Sequence, residues 1–365
     1  MTATPATTRE LDLGPLAARV PEVLRATSAY HVPVPPKLVA KLDANELPFP
    51  LPDELRARLG HVLAEVALER YPDPSARELR AVIAAADHVS PDQLVFGNGS
   101  DELIAMLVTA FANGGVLYPW PSFVYYRIAA TNRGVRATEV PLDARFELDE
   151  PRVVEAIERD RPSVVFLALP NNPTGTLWRM PFALELAARH RDTVIVADEA
   201  YLAYSGKTLV DELAAHPNLV ILRTLSKIGM AGLRVGYSIS SRAIAALLDK
   251  VRPPYNLSSL DQRAACFLVR EAHEWCASRA AEVVAERRHL ASALTDLGFE
   301  VFPSEANLIL VRTIRDDLWT KLQGAGISVR AFNDPAGPLR NCIRITVGTP
   351  NENHALTETL RSLLR

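Results

Sequence analysis

The sequence predicts an α/β protein: a large domain on a mostly parallel central sheet, followed by a smaller α+β domain. Three observations predict it. The chain has 365 residues, enough for about two domains at roughly 150 residues each. From about residue 53, short β-branched runs alternate with amphipathic helical patterns, as buried parallel strands between covering helices require. After about residue 252 two long helical stretches precede a mixed tail.

The first fifty residues are rich in proline (Pro5, Pro15, Pro21, Pro33, Pro35, Pro36, Pro48, Pro50). They read as an arm with one short helix near 15–27. Helices are expected at 53–69, 76–87, 101–112, 122–132, 150–159 and 181–190. Between them lie the strand candidates QLVF (93–96), GVLY (115–118), SVVFLAL (163–169), TVIVA (193–197) and NLVIL (218–222). Pro253-Pro254 interrupts a helix and suits a domain boundary. Beyond it come helices at 258–272 and 274–297, then NLILV (307–311), a helix at 315–323, ISVRA (327–331), IRITV (343–347) and a last helix at 351–364. The expected domains are 1–42, the arm with part of the small domain; 43–255, the large domain; and 256–365, the small C-terminal domain.

Composition narrows the function. The formal net charge is −3, which gives no electrostatic footprint for nucleic acid or an anionic membrane. The N-terminus lacks the basic start and apolar core of a signal peptide. The longest charge-free stretch, Leu103 to Tyr126, is broken by Asn113-Gly114-Gly115, Pro119 and Pro121, whereas a membrane helix needs ~20 unbroken apolar residues. Cys266, Cys276 and Cys342 form no CxxC pair; free thiols fit the reducing cytosol, so a cytoplasmic protein is expected. No HExxH or paired Cys/His spacing supports a metal, and no GxSxG supports a hydrolase elbow.

In α/β sheets ligands sit beyond the carboxyl ends of the strands. Four predicted strands end in polar clusters: GNGSDE (97–102), PNNPTG (170–175), DEAY (198–201) and RTLSK (223–227). Any one of them is ordinary loop or cap chemistry; four together suggest one site. Ser100-Asp101 opens a helix behind two glycines, a candidate phosphate cradle. Pro173 holds Asn172 extended. Asp198 ends an apolar strand, where a carboxylate is costly without a cationic partner. Of the six lysines, Lys37, Lys41, Lys207, Lys227, Lys250 and Lys321, only Lys227 follows a strand and precedes small apolar residues. It is the Schiff-base candidate.

PNNPTG, DEAY, TLSK and the following GLRVGY, in this order, resemble the fold-type I aminotransferases that use pyridoxal 5'-phosphate (PLP). The resemblance runs from about residue 30 to the C-terminus. Within that superfamily KLDANELPFPLP, RYPDP, PSFVYYRIAA, KVRPPYNLSSLDQ, SEANLILVR and IRITVGT are similar to the histidinol-phosphate aminotransferases. The resemblance implies that Lys227 holds PLP and shuttles a proton, and that Asp198 pairs with the pyridine nitrogen. It implies that Asn172 and Tyr201 bond the ring O3′ and that Phe123 stacks on the ring. Ser100, Asp101, Thr224, Ser226 and Arg234 would hold the phosphate. Tyr71 would reach the phosphate of a neighbouring subunit in a homodimer. Arg344 would bind the carboxylate of glutamate or 2-oxoglutarate, Arg330 the substrate phosphate, and Tyr30 would close over the pocket. The chain has Asn45-Glu46-Leu47-Pro48 where the family often has Asn-Glu-Asn-Pro, and the spacing from Lys227 to Arg234 is seven where some relatives have eight. The reaction implied is amino transfer between L-histidinol phosphate and 2-oxoglutarate, in histidine biosynthesis. An aromatic amino-acid aminotransferase, a threonine-phosphate decarboxylase and a PLP-binding sensor domain stay open as alternatives.

Overall fold

The computed structural model describes residues 14–20, 37–313, 315–332 and 336–364. Among the described residues twelve strands fall into two sheets. In chain order they are β1 (Ala40–Leu42), β2 (Leu94–Asn98), β3 (Val116–Trp120), β4 (Ala137–Pro141), β5 (Val164–Ala168), β6 (Val194–Asp198), β7 (Leu219–Thr224) and β8 (Val235–Ser240). They continue with β9 (Glu300–Val301), β10 (Leu308–Arg312), β11 (Ile327–Ala331) and β12 (Cys342–Thr346). The seven-stranded sheet has the order β2-β8-β7-β6-β5-β3-β4. Its neighbours β4, β3, β5, β6 and β7 are parallel, and β8 runs antiparallel to both β7 and β2. The five-stranded sheet has the order β1-β11-β12-β10-β9, with only β1 and β11 parallel.

The apolar runs work as strands because both faces of the large sheet are covered. Val165, Leu167, Ile195, Ala197, Leu219 and Ile221 enter one core cluster. Their alternate neighbours Val164, Phe166, Val194, Val196, Val220 and Leu222 enter another. Successive side chains of a strand point to opposite faces, so a strand buried on both sides reads as a continuous apolar run. A third cluster, with Leu42, Leu308, Val329, Ile345 and Leu356, belongs to the small sheet. Leu47, which stands where the family often has Asn, is buried in this cluster.

Several boundaries differ from the sequence reading. The helix expected over 53–69 is Asp53–Ala64 and buries no residue; the following Glu65–Tyr71 has no apolar stripe to continue it, and Pro72 disfavours helix at Tyr71. The helix expected over 122–132 is Tyr125–Asn132. Near 15–27 a short 3-10 helix covers Gly14–Arg19; 21–36, with Tyr30, lie outside the described residues. Strand β8, VGYSIS, was not foreseen. Its Gly236, Ser238 and Ser240 have little strand propensity, yet it is fully buried between two partners. Strand β4 carries polar Thr138 and Glu139 at a sheet edge. Among the described residues no helix is long and apolar enough to cross a membrane.

The carboxyl ends of β6 and β7 are tied by buried charge. Arg223 (5% exposed) reaches Asp87 at 2.7 Å and Glu199 at 3.0 Å. Glu199 (1% exposed) also accepts from Leu209 N at 2.7 Å and Thr208 Oγ1 at 2.8 Å. These residues abut Asp198 and Thr224, so the pair sets where both strand ends stand. Removing one partner of such a pair strands the other charge in the interior. Arg223→Ala is expected to cost about 3–5 kcal/mol, read as a lowered urea midpoint with an unchanged slope.

Candidate active site

Ten of the residues singled out in the sequence line one cavity: Ser100, Asp101, Phe123, Asn172, Asp198, Tyr201, Thr224, Ser226, Lys227 and Arg234. They arrive there because β2, β5, β6 and β7 all end on the same side of the sheet.

The helix Gly99–Phe111 supplies one wall. Its Asn98 cap makes no side-chain hydrogen bond to the first turn, which leaves the initial N–H groups as donors where Ser100 and Asp101 line the cavity. Gly236 lies opposite Gly97 across β2 and β8. A Cβ on Gly236 would stand 2.6 Å from Ser100 N; only glycine lets β8 approach the helix start this closely. Arg234 adopts a left-handed backbone at φ 52°, unusual for a side-chain-bearing residue and typical of functional sites. Its guanidinium reaches Ser226 Oγ at 3.2 Å and Asp101 Oδ2 at 3.2 Å. Ser226 Oγ is 3.0 Å from Thr224 Oγ1, which accepts from Ser226 N at 3.1 Å. Backbone donors, two hydroxyls and a guanidinium in one corner fit a phosphate dianion.

Asp198 is buried (5% exposed). Tyr126 donates to its Oδ2 at 2.7 Å and Ala200 N to its Oδ1 at 3.2 Å. Burial outweighs these donors and pushes its carboxyl up to about 6. A protonated ring nitrogen would supply the missing cation. Lys227 is pulled down to about 8, by burial first and then by the Arg344 charge. At pH 7 about a tenth of it is then free amine, against about one part in three thousand for an ordinary lysine. Its Nζ donates to Ala44 O at 3.3 Å. These features fit PLP: a phosphate corner, a buried acid for the ring nitrogen, and an amine able to attack a carbonyl.

The PNNPTG turn presents Asn172 because Asn171 braces it. Asn171 is fully buried; its Nδ2 donates to Pro121 O at 3.0 Å and Thr174 Oγ1 at 2.9 Å, and its Oδ1 accepts from Ser122 Oγ at 2.7 Å. Asn172 Oδ1 accepts from Arg344 Nη1 at 2.8 Å. Arg344 also donates to Asp43 O. Arg344 and Arg330 are directly paired across β12 and β11, so both occupy one face of the small sheet. They line a second chamber that shares Phe123 and Asn172 with the first. Tyr71 stands apart: it is 81% exposed and stacks on Tyr255, ring centroids 4.7 Å apart.

Sequence reasoning missed Tyr126, Asn45 and Tyr204. Tyr126 lies three residues after Phe123 at a helix start, a spacing that puts both on one face. Asn45 donates to Tyr201 Oη at 2.9 Å, and Tyr204 Oη donates to Lys227 O. Neither has a local signal, because each partner is distant in the chain.

The Asp198 shift makes a pH prediction. Its folded pKa lies above the ordinary aspartate value of 3.8, so the native state binds the extra proton. Stability is therefore lost as pH rises from about 4 through about 6. Asp198→Asn keeps the Ala200 N–H bond, and the Tyr126 hydroxyl can turn to accept from the amide. In protein freed of ligand the variant should match the unaltered chain near pH 4 and exceed its stability by about 2–3 kcal/mol at pH 8, measured by urea unfolding at each pH.

The aminotransferase class I and II family matches residues 37–360. A histidinol-phosphate aminotransferase of Methylibium petroleiphilum is 40% identical over 361 residues, spanning 96% of this chain and 97% of its own. One of Aquifex aeolicus is 39% identical over 356 residues, spanning 94% and 99%. The solved histidinol-phosphate aminotransferase of Sinorhizobium meliloti, in complex with pyridoxal-5'-phosphate, shares the fold at a TM-score of 0.82, with 24% identity over 95% of this chain and 98% of that one. The cavity at the strand ends and the full-length identity point the same way: the chain belongs to the class I and II aminotransferases and, within them, to the histidinol-phosphate aminotransferase family.

Proposed function

We propose that the chain transfers an amino group between L-histidinol phosphate and 2-oxoglutarate, with PLP seated in the cavity of Lys227 and Asp198. In the biosynthetic direction imidazole-acetol phosphate and glutamate would be consumed. The observation that carries the reading is the convergence of a depressed lysine, a buried aspartate and a phosphate corner on one cavity. The histidinol-phosphate substrate is supported by relatives about 40% identical over nearly the whole chain.

PLP, when bound, supplies a carbonyl for the amino group and a ring that stores the electrons of the broken Cα–H bond. The residues do the rest. Lys227 would hold the cofactor and then carry the proton removed from substrate Cα. Asp198 would face the pyridine nitrogen, with Tyr126 and Ala200 N fixing its carboxylate. Tyr201 and Asn172 bond O3′, and Phe123 covers the ring. Ser100, Asp101, Thr224, Ser226 and Arg234 anchor the phosphate. Arg344 takes the carboxylate of glutamate or 2-oxoglutarate in a bidentate grip. Arg330 takes the substrate phosphate.

The active form is a homodimer in this reading, with Tyr71 reaching the cofactor phosphate of the partner. Leu68 (73% exposed), Tyr71 (81%) and Tyr255 (44%) leave an apolar surface beside the RYPDP turn, of the kind that marks interfaces. The large domain spans 43–255, with the arm and 256–365 forming the small one. The enzyme is cytoplasmic; its three cysteines are buried free thiols, as a reducing compartment allows.

Two variants test the reading. Borohydride reduction of PLP-loaded protein should add the pyridoxyl mass to the Lys227 peptide. Lys227→Ala should carry no such mass and show no turnover; retained turnover would refute the assignment. Arg330→Ala should lower kcat/KM for histidinol phosphate by about 10- to 100-fold, the range for losing a charge-assisted bond. Phenylalanine should suffer less than about a threefold loss; equal losses would remove Arg330 from phosphate recognition.

A further inference from the structure

Asn45 lies outside the cavity wall, yet it is bonded to a residue within it. Asn45 is 1% exposed and sits just beyond β1 in a left-handed backbone conformation at φ 54°, which asparagine and aspartate tolerate better than most residues. Its backbone N–H donates to Thr346 Oγ1 at 2.9 Å. Thr346, on β12 and 2% exposed, donates its own proton to Asn45 Oδ1 at 3.0 Å. Asn45 Nδ2 donates to Tyr201 Oη at 2.9 Å. Asn307 Nδ2 clamps the same segment by donating to Asn45 O at 3.1 Å.

These bonds have a direction. Thr346 accepts from the Asn45 backbone and gives its proton to Oδ1, so the amide is held with its nitrogen toward Tyr201. The reverse orientation would turn a second donor on Thr346 and take the acceptor from its buried proton, at a cost. Tyr201 Oη therefore receives a hydrogen bond from behind. Its own proton is left to point forward into the cavity, where Lys227, Asp198 and Asn172 also stand.

We propose that Asn45 is a positioning residue: with Thr346 it fixes the polarity of the Tyr201 hydroxyl, so that the phenol donates into the cavity and steadies an oxyanion there. The inference rests on the PLP reading above, in which that oxyanion is O3′. The relay couples the two sheets, because Asn45 and Thr346 belong to the small sheet's side and Tyr201 follows β6 of the large one. The charged and titratable groups around Tyr201 are Arg344 from β12, Asp198 from β6, Lys227 after β7, Tyr204 from its own segment and Tyr126 from the helix Tyr125–Asn132. All of them stay in place when only the amide is changed.

Asn45→Asp is the informative variant. It keeps the shape and the left-handed backbone but replaces the donor with an acceptor. The Tyr201 proton should then turn away from the cavity, toward the new carboxylate. PLP-loaded protein changes absorbance with pH; an oxyanion that loses a donated hydrogen bond takes up its shared proton at higher pH. The expected results are a rise of about one unit in the midpoint of that change and about a three- to tenfold weaker PLP dissociation constant. Thr346→Val, which releases the amide without adding charge, should shift the midpoint in the same direction by less. In a Tyr201→Phe background Asn45→Asp should produce no further shift, the non-additivity of a single relay. An unchanged midpoint in Asn45→Asp, or an equal shift in the Tyr201→Phe background, would overturn the relay while leaving the PLP reading intact. Failure of the unaltered protein to bind PLP would overturn both.

Discussion

Asp198 places a carboxylate at the end of an apolar strand, where burial holds its pKa near 6, and much of the surrounding architecture answers to that constraint. β6 is buried on both faces, so the charge has no route to water along the strand. Tyr126 can reach Oδ2 because it is itself packed, stacked on Phe166 with ring centroids 4.6 Å apart. Next along the chain, Glu199 is neutralised by Arg223, which leaves Asp198 as the acid that still lacks a cation. A cationic ring nitrogen at that point would turn a destabilising feature into a binding site.

The second sheet matters to the first through a three-residue span, Asp43 to Asn45. Asp43 O accepts from Arg344, Ala44 O from Lys227, and Asn45 O from Asn307, while Asn45 Nδ2 donates to Tyr201. Two main-chain carbonyls and one side-chain amide of this short segment thus hold Lys227, Arg344 and Tyr201 in mutual register. Arg330 and Arg344 face each other in the register of β11 and β12, and both line the chamber beside the cavity.

The parts legible in the sequence are those with local signals. The strands SVVFLAL and TVIVA were readable because burial on both faces makes a continuous apolar run. Asp198, Asn172 and Lys227 were readable because each follows a strand within a compact polar cluster. Strand β8 was not, because Gly236 and Ser238 look like a loop until two neighbouring strands enclose them. Asn45 and Thr346 lie 301 residues apart and Tyr126 and Asp198 lie 72 apart; no periodicity announces such contacts. Leu47 read as a departure from the family pattern, and its burial in the small-sheet core supplies the physical reason an apolar residue is accepted there.

The most direct test of the account is a single-turnover titration of PLP-loaded protein, following the loss of its visible absorbance. L-histidinol phosphate, L-phenylalanine and L-threonine phosphate would be added in separate runs. The account predicts conversion by histidinol phosphate at concentrations at least about tenfold below those needed for phenylalanine, and no CO2 release from threonine phosphate. Absence of any PLP absorbance, or equal response to phenylalanine, would contradict it.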